Sequence, residues 1–369
     1  MTWRQINSDE QLRAELAACS TPTAVAVDTE FMRQDTFYPK PALVQLCFTD
    51  IALLIDPLAI DDCSPLNALF SDPSVIKIIH SASEDLEVFK LWPGVMPQPL
   101  FDTQRAAALL NRGFGLGYRA LVQQLLAIDL PKGETRSNWL ARPLSQSQCD
   151  YAAQDVIYLR QAYDVLMTEL ADSPKNQWVL AEGQEAIQNA DRPTDYSLRI
   201  KSAWKLSQRQ LMALKMLINW REDTAIARNK PRSWIVDDRA CYSLAEAMPE
   251  SVRQLSALNV LRDSTIRRRG QELIAVLDEA RAYPEQGLPP RAAAPLKPAQ
   301  RAALKKLRVA ADRIATQLQI ASEILVQNRD LDMLVREAVG ELIEPPLAWS
   351  GWREEAVINP LRSQLVGLL

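Results

Sequence analysis

The chain has 369 residues, of which 47% are apolar, 24% charged and 7% aromatic, with a net charge of −4; this is the profile of a globular protein long enough for two or three domains. Its five cysteines, Cys19, Cys47, Cys63, Cys149 and Cys241, are odd in number, scattered and in no CxxC pair, and a single histidine, His80, leaves disulfide, zinc and Ser-His-Asp chemistries poorly supplied. No apolar run approaches the roughly 18 residues of a membrane span, and the polar start MTWRQINSDEQLRAEL has no signal-peptide core, so a cytoplasmic location is expected.

The first clear element is AVAVDTEF. Ala24 to Val27 is too short for a helix and rich in β-branched residues, and it reads as a buried strand. Strand side chains alternate, so Asp28 and Glu30 share a face, roughly 7 Å apart along the chain. Two carboxylates that close hold protons unless a cation lies between them. The spacing therefore points to a divalent metal, with a solvated turn as the competing reading of this pair alone. PALVQLCFTD and IALLIDPL follow as two strands joined at Thr49-Asp50, a hairpin beside the first strand. SVIKIIH is another strand, and SASEDLEVFKLW a helix with Ser81 or Ser83 as its cap. LFDTQRAAALLN gives a short strand and a helix, with Asp102 read as helix cap in preference to metal ligand. A long helix is expected from about Ser145 to Glu169. Hairpin strands followed by alternating strands and helices imply a mixed sheet covered by helices, and no GxGxxG follows the first strand to suggest a dinucleotide fold.

Past about residue 190 helical periodicity takes over. NADRPTDYSLRIKS and the proline-rich YPEQGLPPRAAAPLKPAQ read as connectors that set off two helical modules. Sliding the chain by 90 residues lays Ala213-Leu214-Lys215 on Ala303-Leu304-Lys305, Leu217 on Leu307, Arg239 on Arg329 and Leu244 on Leu334, the pattern of a duplication. Basic residues gather in two runs, Lys201, Lys205, Arg209, Lys215, Arg221, Arg228, Lys230 and Arg232, then Arg262, Arg267, Arg268 and Arg269. Such patches bind phosphates even within an acidic chain, or are simply a solvated helix face.

Two more acidic positions complete the set. Asp85 lies near the start of a helix leaving a strand, where it can face the edge that carries Asp28 and Glu30. Tyr151 and Asp155 are four apart on the long helix and so share a face. Taken in order, VDTEF, SEDLEVF and YAAQDVIYL resemble the motifs of the DEDD exonuclease superfamily, in the subclass with tyrosine in its third motif. HSASEDLEVF, LFDTQRAAALL and SNWLARPLSQSQCDYAAQDVIYL resemble the bacterial ribonuclease D family more closely, and LSQRQLMALKMLINWREDTAIARNKPRSWIVDD looks like its helicase-and-ribonuclease-D C-terminal (HRDC) domain.

The resemblance implies an α/β, ribonuclease H-like mixed-sheet exonuclease domain over residues 1–195, an all-α HRDC domain over 205–285 and a diverged second copy over 296–369. It implies that Asp28, Glu30, Asp85 and Asp155 hold two divalent metal ions, magnesium or manganese, and that Tyr151 assists the attacking water. The expected activity is 3′-to-5′ exoribonuclease action releasing nucleoside 5′-monophosphates, with the 3′ ends of transfer RNA precursors and other small structured RNAs as substrates and no obligate protein partner, so that a monomer is expected. Phe31 and Met32 follow the acidic pair and can stack on terminal bases. Lys132, Arg136 and Arg142 flank Trp139 in a polar loop suited to phosphate contact, and His80 reads as a structural neighbour of the site. A DNA-directed exonuclease and a non-catalytic RNA-binding protein with a decayed nuclease domain are the alternatives.

Overall fold

The computed structural model describes residues 2–19, 22–131, 133–134, 137–192 and 195–366. The chain divides into two compact units, one made of Met1–Met32, Lys40–Arg192 and Leu296–Leu369, the other of Arg33–Pro39 and Pro193–Pro295.

The first unit opens with β1 (Thr2–Ile6) and α1 (Asp9–Ala18). β1 is an edge strand in which only Ile6 is buried, so TWRQI carries no apolar run by which to read it. Next come β2 (Ala24–Met32), β3 (Lys40–Cys47), β4 (Ile51–Ile55), α2 (Ser64–Ser71), β5 (Ile76–Ile79), α3 (Ser83–Leu91), β6 (Leu100–Asp102), α4 (Thr103–Leu109), α5 (Tyr118–Leu126), α6 (Gln146–Leu170) and α7 (Lys175–Asp191). Among the described residues the six strands form one mixed sheet, in the order β1-β4-β3-β2-β5-β6. β2, β3 and β4 are antiparallel neighbours, as the hairpin reading expects, while β5 and β6 extend the other edge in parallel.

β2 is central, and its alternation sorts its side chains between two cores. Ala24 and Ala26 pack with Ala152, Ala153 and Val156 of α6 on one face. Val25 and Val27 pack with Leu86 and Phe89 of α3 on the other. Asp28 and Glu30 continue the α6 side of that alternation and Thr29 the α3 side. Helix α6 begins with a capping box in which the Ser145 hydroxyl accepts from the Gln148 N–H, and its small residues let it lie close on the sheet. α3 differs from expectation at its start. Its N-cap is Ala82, with no side-chain cap, and neither serine fills that role. Asp102 accounts for this, because its carboxylate accepts from the Ser81 and Ala82 N–H groups as well as capping α4 through Gln104 and Arg105.

The second unit contains α8 (Gln208–Arg228), α9 (Arg232–Ile235), α10 (Asp238–Ala247), α11 (Val252–Ala257) and α12 (Asp263–Ala282), closed around Leu214, Leu217, Leu244, Leu273 and Leu277. Within this unit Asn229, in a left-handed conformation at the end of α8, accepts from the backbone of Phe37 and Tyr38. The chain then returns to the first unit as α13 (Pro298–Leu318), α14 (Ser322–Leu325), α15 (Asn328–Ala338) and α16 (Asn359–Leu365). The 90-residue offset of the sequence recurs here: Gln208–Arg228 matches Pro298–Leu318, Arg232–Ile235 matches Ser322–Leu325, and α10 and α15 start at Asp238 and Asn328. This C-terminal segment does not stand apart from the nuclease. Leu307, Leu325, Leu334 and Leu361 share one hydrophobic cluster with Phe101, Tyr163 and Leu166. No helix among the described residues is long and apolar enough to cross a membrane.

Candidate active site

The end of β2 delivers Asp28 and Glu30 beneath α6, which contributes Tyr151 and Asp155 one turn apart. A carboxylate oxygen from each of Asp28, Glu30 and Asp155 lies within 4.8 Å of the other two. Asp85 reaches the same cavity of about 440 Å³ from α3, on the opposite side of the strand. It is not one of that close trio; its Oδ1 accepts a 2.5 Å hydrogen bond from the Thr29 hydroxyl. The site thus straddles the end of one strand, with α6 above and α3 below.

Crowding and burial set the protonation of these groups. Burial, reinforced by the charges of Asp28, Asp155 and Asp85, pushes Glu30 up to about 10. Burial also raises Asp155 to about 7, against the pull of a hydrogen bond from the Tyr151 hydroxyl. Asp28 is raised by burial and then by Asp155, and Asp85 by burial and then by Asp28. The Tyr151 phenol is moved above its ordinary value by burial and the surrounding carboxylates, so at neutral pH it is a hydrogen-bond donor and not a base.

A set of buried and half-buried hard-oxygen donors that repel one another is suited to divalent cations such as magnesium or manganese. An orphaned polar group supports the fit. The β2–β3 register pairs Asp28 with Gln45, whose fully buried amide has no hydrogen-bond partner at Nε2 or Oε1. Such a group beside the carboxylates is normally satisfied by water or an ion's hydration shell.

The cavity wall is completed by Phe31, His80, Ser81, Glu84, Tyr118 and Leu159. The sequence reading had no signal for Tyr118, whose hydroxyl donates to the backbone carbonyls of Asp155 at 2.7 Å and Gln154 at 3.1 Å, pinning the helix turn that bears the metal-ligand candidate. Nor does any sequence pattern mark Gly133. A Cβ there would fall 1.7 Å from Cε2 of Tyr151, so the loop backbone lies against the tyrosine ring at a point only glycine can occupy. His80, on the cavity wall, has its Nδ1 2.9 Å from the Thr103 hydroxyl.

The expected substrate contacts are only partly brought together. Phe31 lines the cavity, whereas Met32 packs on the core behind it. Trp139 is corrected: it is 1% exposed, a core residue tilted on Tyr151 with ring centroids 6.2 Å apart. Arg142 is corrected too, because its guanidinium is taken up by Asp56 at 2.5 Å and by the carbonyls of Trp139 and Ala42. Lys132 and Arg136 lie outside the described residues.

Residues 3–171 match the family model of the 3′-5′ exonuclease domain and residues 210–277 that of the HRDC domain. The chain is 39% identical to ribonuclease D of Pseudomonas paraeruginosa, over 97% of each chain, and 36% identical to that of Escherichia coli, over 99% of each. Its structure superposes on the crystal structure of Escherichia coli RNase D, described as an exoribonuclease involved in structured RNA processing, with a TM-score of 0.92 and 35% identity over 99% of both chains.

Proposed function

The chain belongs to the ribonuclease D family and is a 3′-to-5′ exoribonuclease; from that premise we propose that Asp28, Glu30, Asp85 and Asp155 hold two divalent ions, magnesium in the first place, and that Tyr151 orients the attacking water. The observation that carries this reading is the meeting of Asp28, Glu30 and Asp155 within 4.8 Å, with Asp85 and Tyr151 on the same cavity. Cations held there supply charge neutralisation for an in-line displacement at phosphorus. The chain's own residues do the rest. The four carboxylates would fix the positions of the cations that meet the scissile phosphate, and the protonated Tyr151 hydroxyl, already donating to Asp155, holds a water by hydrogen bonding without removing its proton. Phe31 offers a ring to the terminal base.

The substrates in this reading are the 3′ ends of transfer RNA precursors and other small structured RNAs, shortened by one nucleoside 5′-monophosphate per cycle. The domain partition is 1–195 for the exonuclease, 205–285 for the HRDC domain and 296–369 for its diverged copy, in a cytoplasmic protein that works as a monomer. Matched hairpins with a 3′ tail of RNA or of DNA test the substrate class. Nucleoside 5′-monophosphates are expected from the RNA tail, with the hairpin stem left; faster loss of the DNA tail, or release of oligonucleotides, would overturn the reading.

A further inference from the structure

The four ligand candidates are not equally well anchored. Asp28 and Glu30 sit in the ladder of β2 against β3, and Asp155 lies within the 25-residue α6. Asp85 lies in the first turn of α3, a helix of 9 residues. The first N–H groups of a helix have no partner within it, so this turn depends on what caps it. Ala82, at the cap position, has no side chain for the task. Just before it, Ser81 is left-handed, with a φ of 61°. That conformation is unfavourable for an L-residue with an ordinary side chain and persists only where its surroundings hold it. If the turn relaxed, the start of α3 would rotate and carry the Asp85 carboxyl away from the strand end.

The end of β6 supplies the hold. Asp102 pairs with Ile79 across the sheet, which brings its buried carboxylate beneath the loop that follows β5. One oxygen accepts from the Ser81 N–H at 3.0 Å and from the Gln104 N–H at 2.9 Å, and the other from the Ala82 N–H at 3.1 Å. A full negative charge thus stands at the N-termini of α3 and α4 together, where both helix dipoles favour it. The next side chain, Thr103, is fully buried; its hydroxyl donates to the Ile79 carbonyl at 3.3 Å and stands 2.9 Å from His80 Nδ1. Ile79, His80, Ser81 and Ala82 are each tied to one of these two neighbours. Asp102 lines a separate cavity of about 450 Å³ and not the catalytic one, so its influence on the site passes through this turn.

We propose that Asp102 is a positioning residue for the metal centre: it holds the left-handed turn at Ser81 and the start of α3, and through them keeps the Asp85 carboxyl where it can share an ion. The proposal rests on the two-ion reading. It is tested on the metal-free full chain without RNA, by calorimetric titration with manganese in the presence of adenosine 5′-monophosphate, each protein at a temperature where circular dichroism shows it folded. Asp102→Asn keeps the shape of the side chain and loses its charge and one acceptor. Ser81→Val leaves Asp102 intact and puts a β-branched residue at an exposed position of positive φ. Each is expected to weaken manganese binding about tenfold. Ser81→Gly added to Asp102→Asn, which relieves the turn of its conformational cost, is expected to recover most of that loss. In RNA degradation the half-saturating magnesium concentration is expected to rise by a similar factor, with kcat restored at saturating metal. Wild-type manganese affinity in both variants would overturn the proposal. Loss in Asp102→Asn alone would overturn it too, since the carboxylate would then act by its own charge and not through the turn. If Asp102→Asn does not fold, Ser81→Val decides by itself. A wild-type chain that takes up no manganese would remove the two-ion reading and the proposal with it.

Discussion

At the scale of single residues the site is a cluster of carboxyl groups held above their ordinary values, and its pH dependence follows. Such groups bind more protons folded than unfolded, so the contribution of this cluster to metal-free stability is highest below the unfolded carboxyl value of about 4. It falls as pH rises through about 7 for Asp155 and on toward about 10 for Glu30. Melting temperatures in chelator are expected to drop between those limits, and saturating magnesium to flatten the profile; a metal-free profile that rises over that range would contradict the cluster. Tyr151→Phe keeps the ring against Gly133 and removes only the hydroxyl. A fall of about 10²-fold in kcat with KM little changed is expected, and a loss confined to KM would show that the hydroxyl acts on binding instead. Much of this site was legible in the sequence, because strand parity puts Asp28 and Glu30 on one face and helical spacing puts Tyr151 beside Asp155. Gln45 and Thr29 were not legible. Their place depends on the register of β3 against β2 and on which helix covers which face, and both are set by long-range pairing that no local pattern reports.

Among the elements, β5 shows how far local pattern carries. SVIKIIH reads correctly as a strand, yet Lys77 within it is fully buried, its ammonium donating to the backbone carbonyls of Asp72, Val75 and Gln98. It fastens the turn before β5 to the segment leading into β6. Lys77→Met keeps the length and deletes the donor, leaving those carbonyls short of a partner, and a loss of about 2–4 kcal/mol in denaturant unfolding is expected. A change below about 1 kcal/mol would mean water replaces the ammonium. The same dependence on partners explains the other departures. β1 is polar because it is an edge, the start of α3 needs no serine because Asp102 reaches its N-terminus, and Trp139 in a polar stretch is drawn into the core by the ring of Tyr151 and the apolar underside of α6.

For the whole chain, the spacing of α8, α9 and α10 recurs 90 residues on in α13, α14 and α15, but α11 has no helical counterpart over 342–346, and the two segments live differently. The first closes on a core of its own, whereas the second has given its apolar face to the nuclease. Trp352 stacks on Trp178 of α7 with centroids 4.4 Å apart, and Arg353 forms a buried ion pair with Glu182 at 2.5 Å. The proline-rich connector hides this from sequence, since it looks like a boundary on both sides. Proteolytic nicking within residues 283–297 is therefore expected to leave the C-terminal fragment bound to the nuclease through gel filtration, and separate elution would contradict the shared core. The central claim, that Asp28, Glu30, Asp85 and Asp155 hold catalytic ions, is tested most directly by following a 5′-labelled RNA with a 3′ tail in magnesium, in chelator and with Asp28→Asn protein. A ladder shortening from the 3′ end is expected only for wild type with metal, with Asp28→Asn at least about 10²-fold slower, since even outer neighbours of metal ligands cost up to that much. Equal ladders from wild type and Asp28→Asn, or degradation undiminished by chelator, would contradict it.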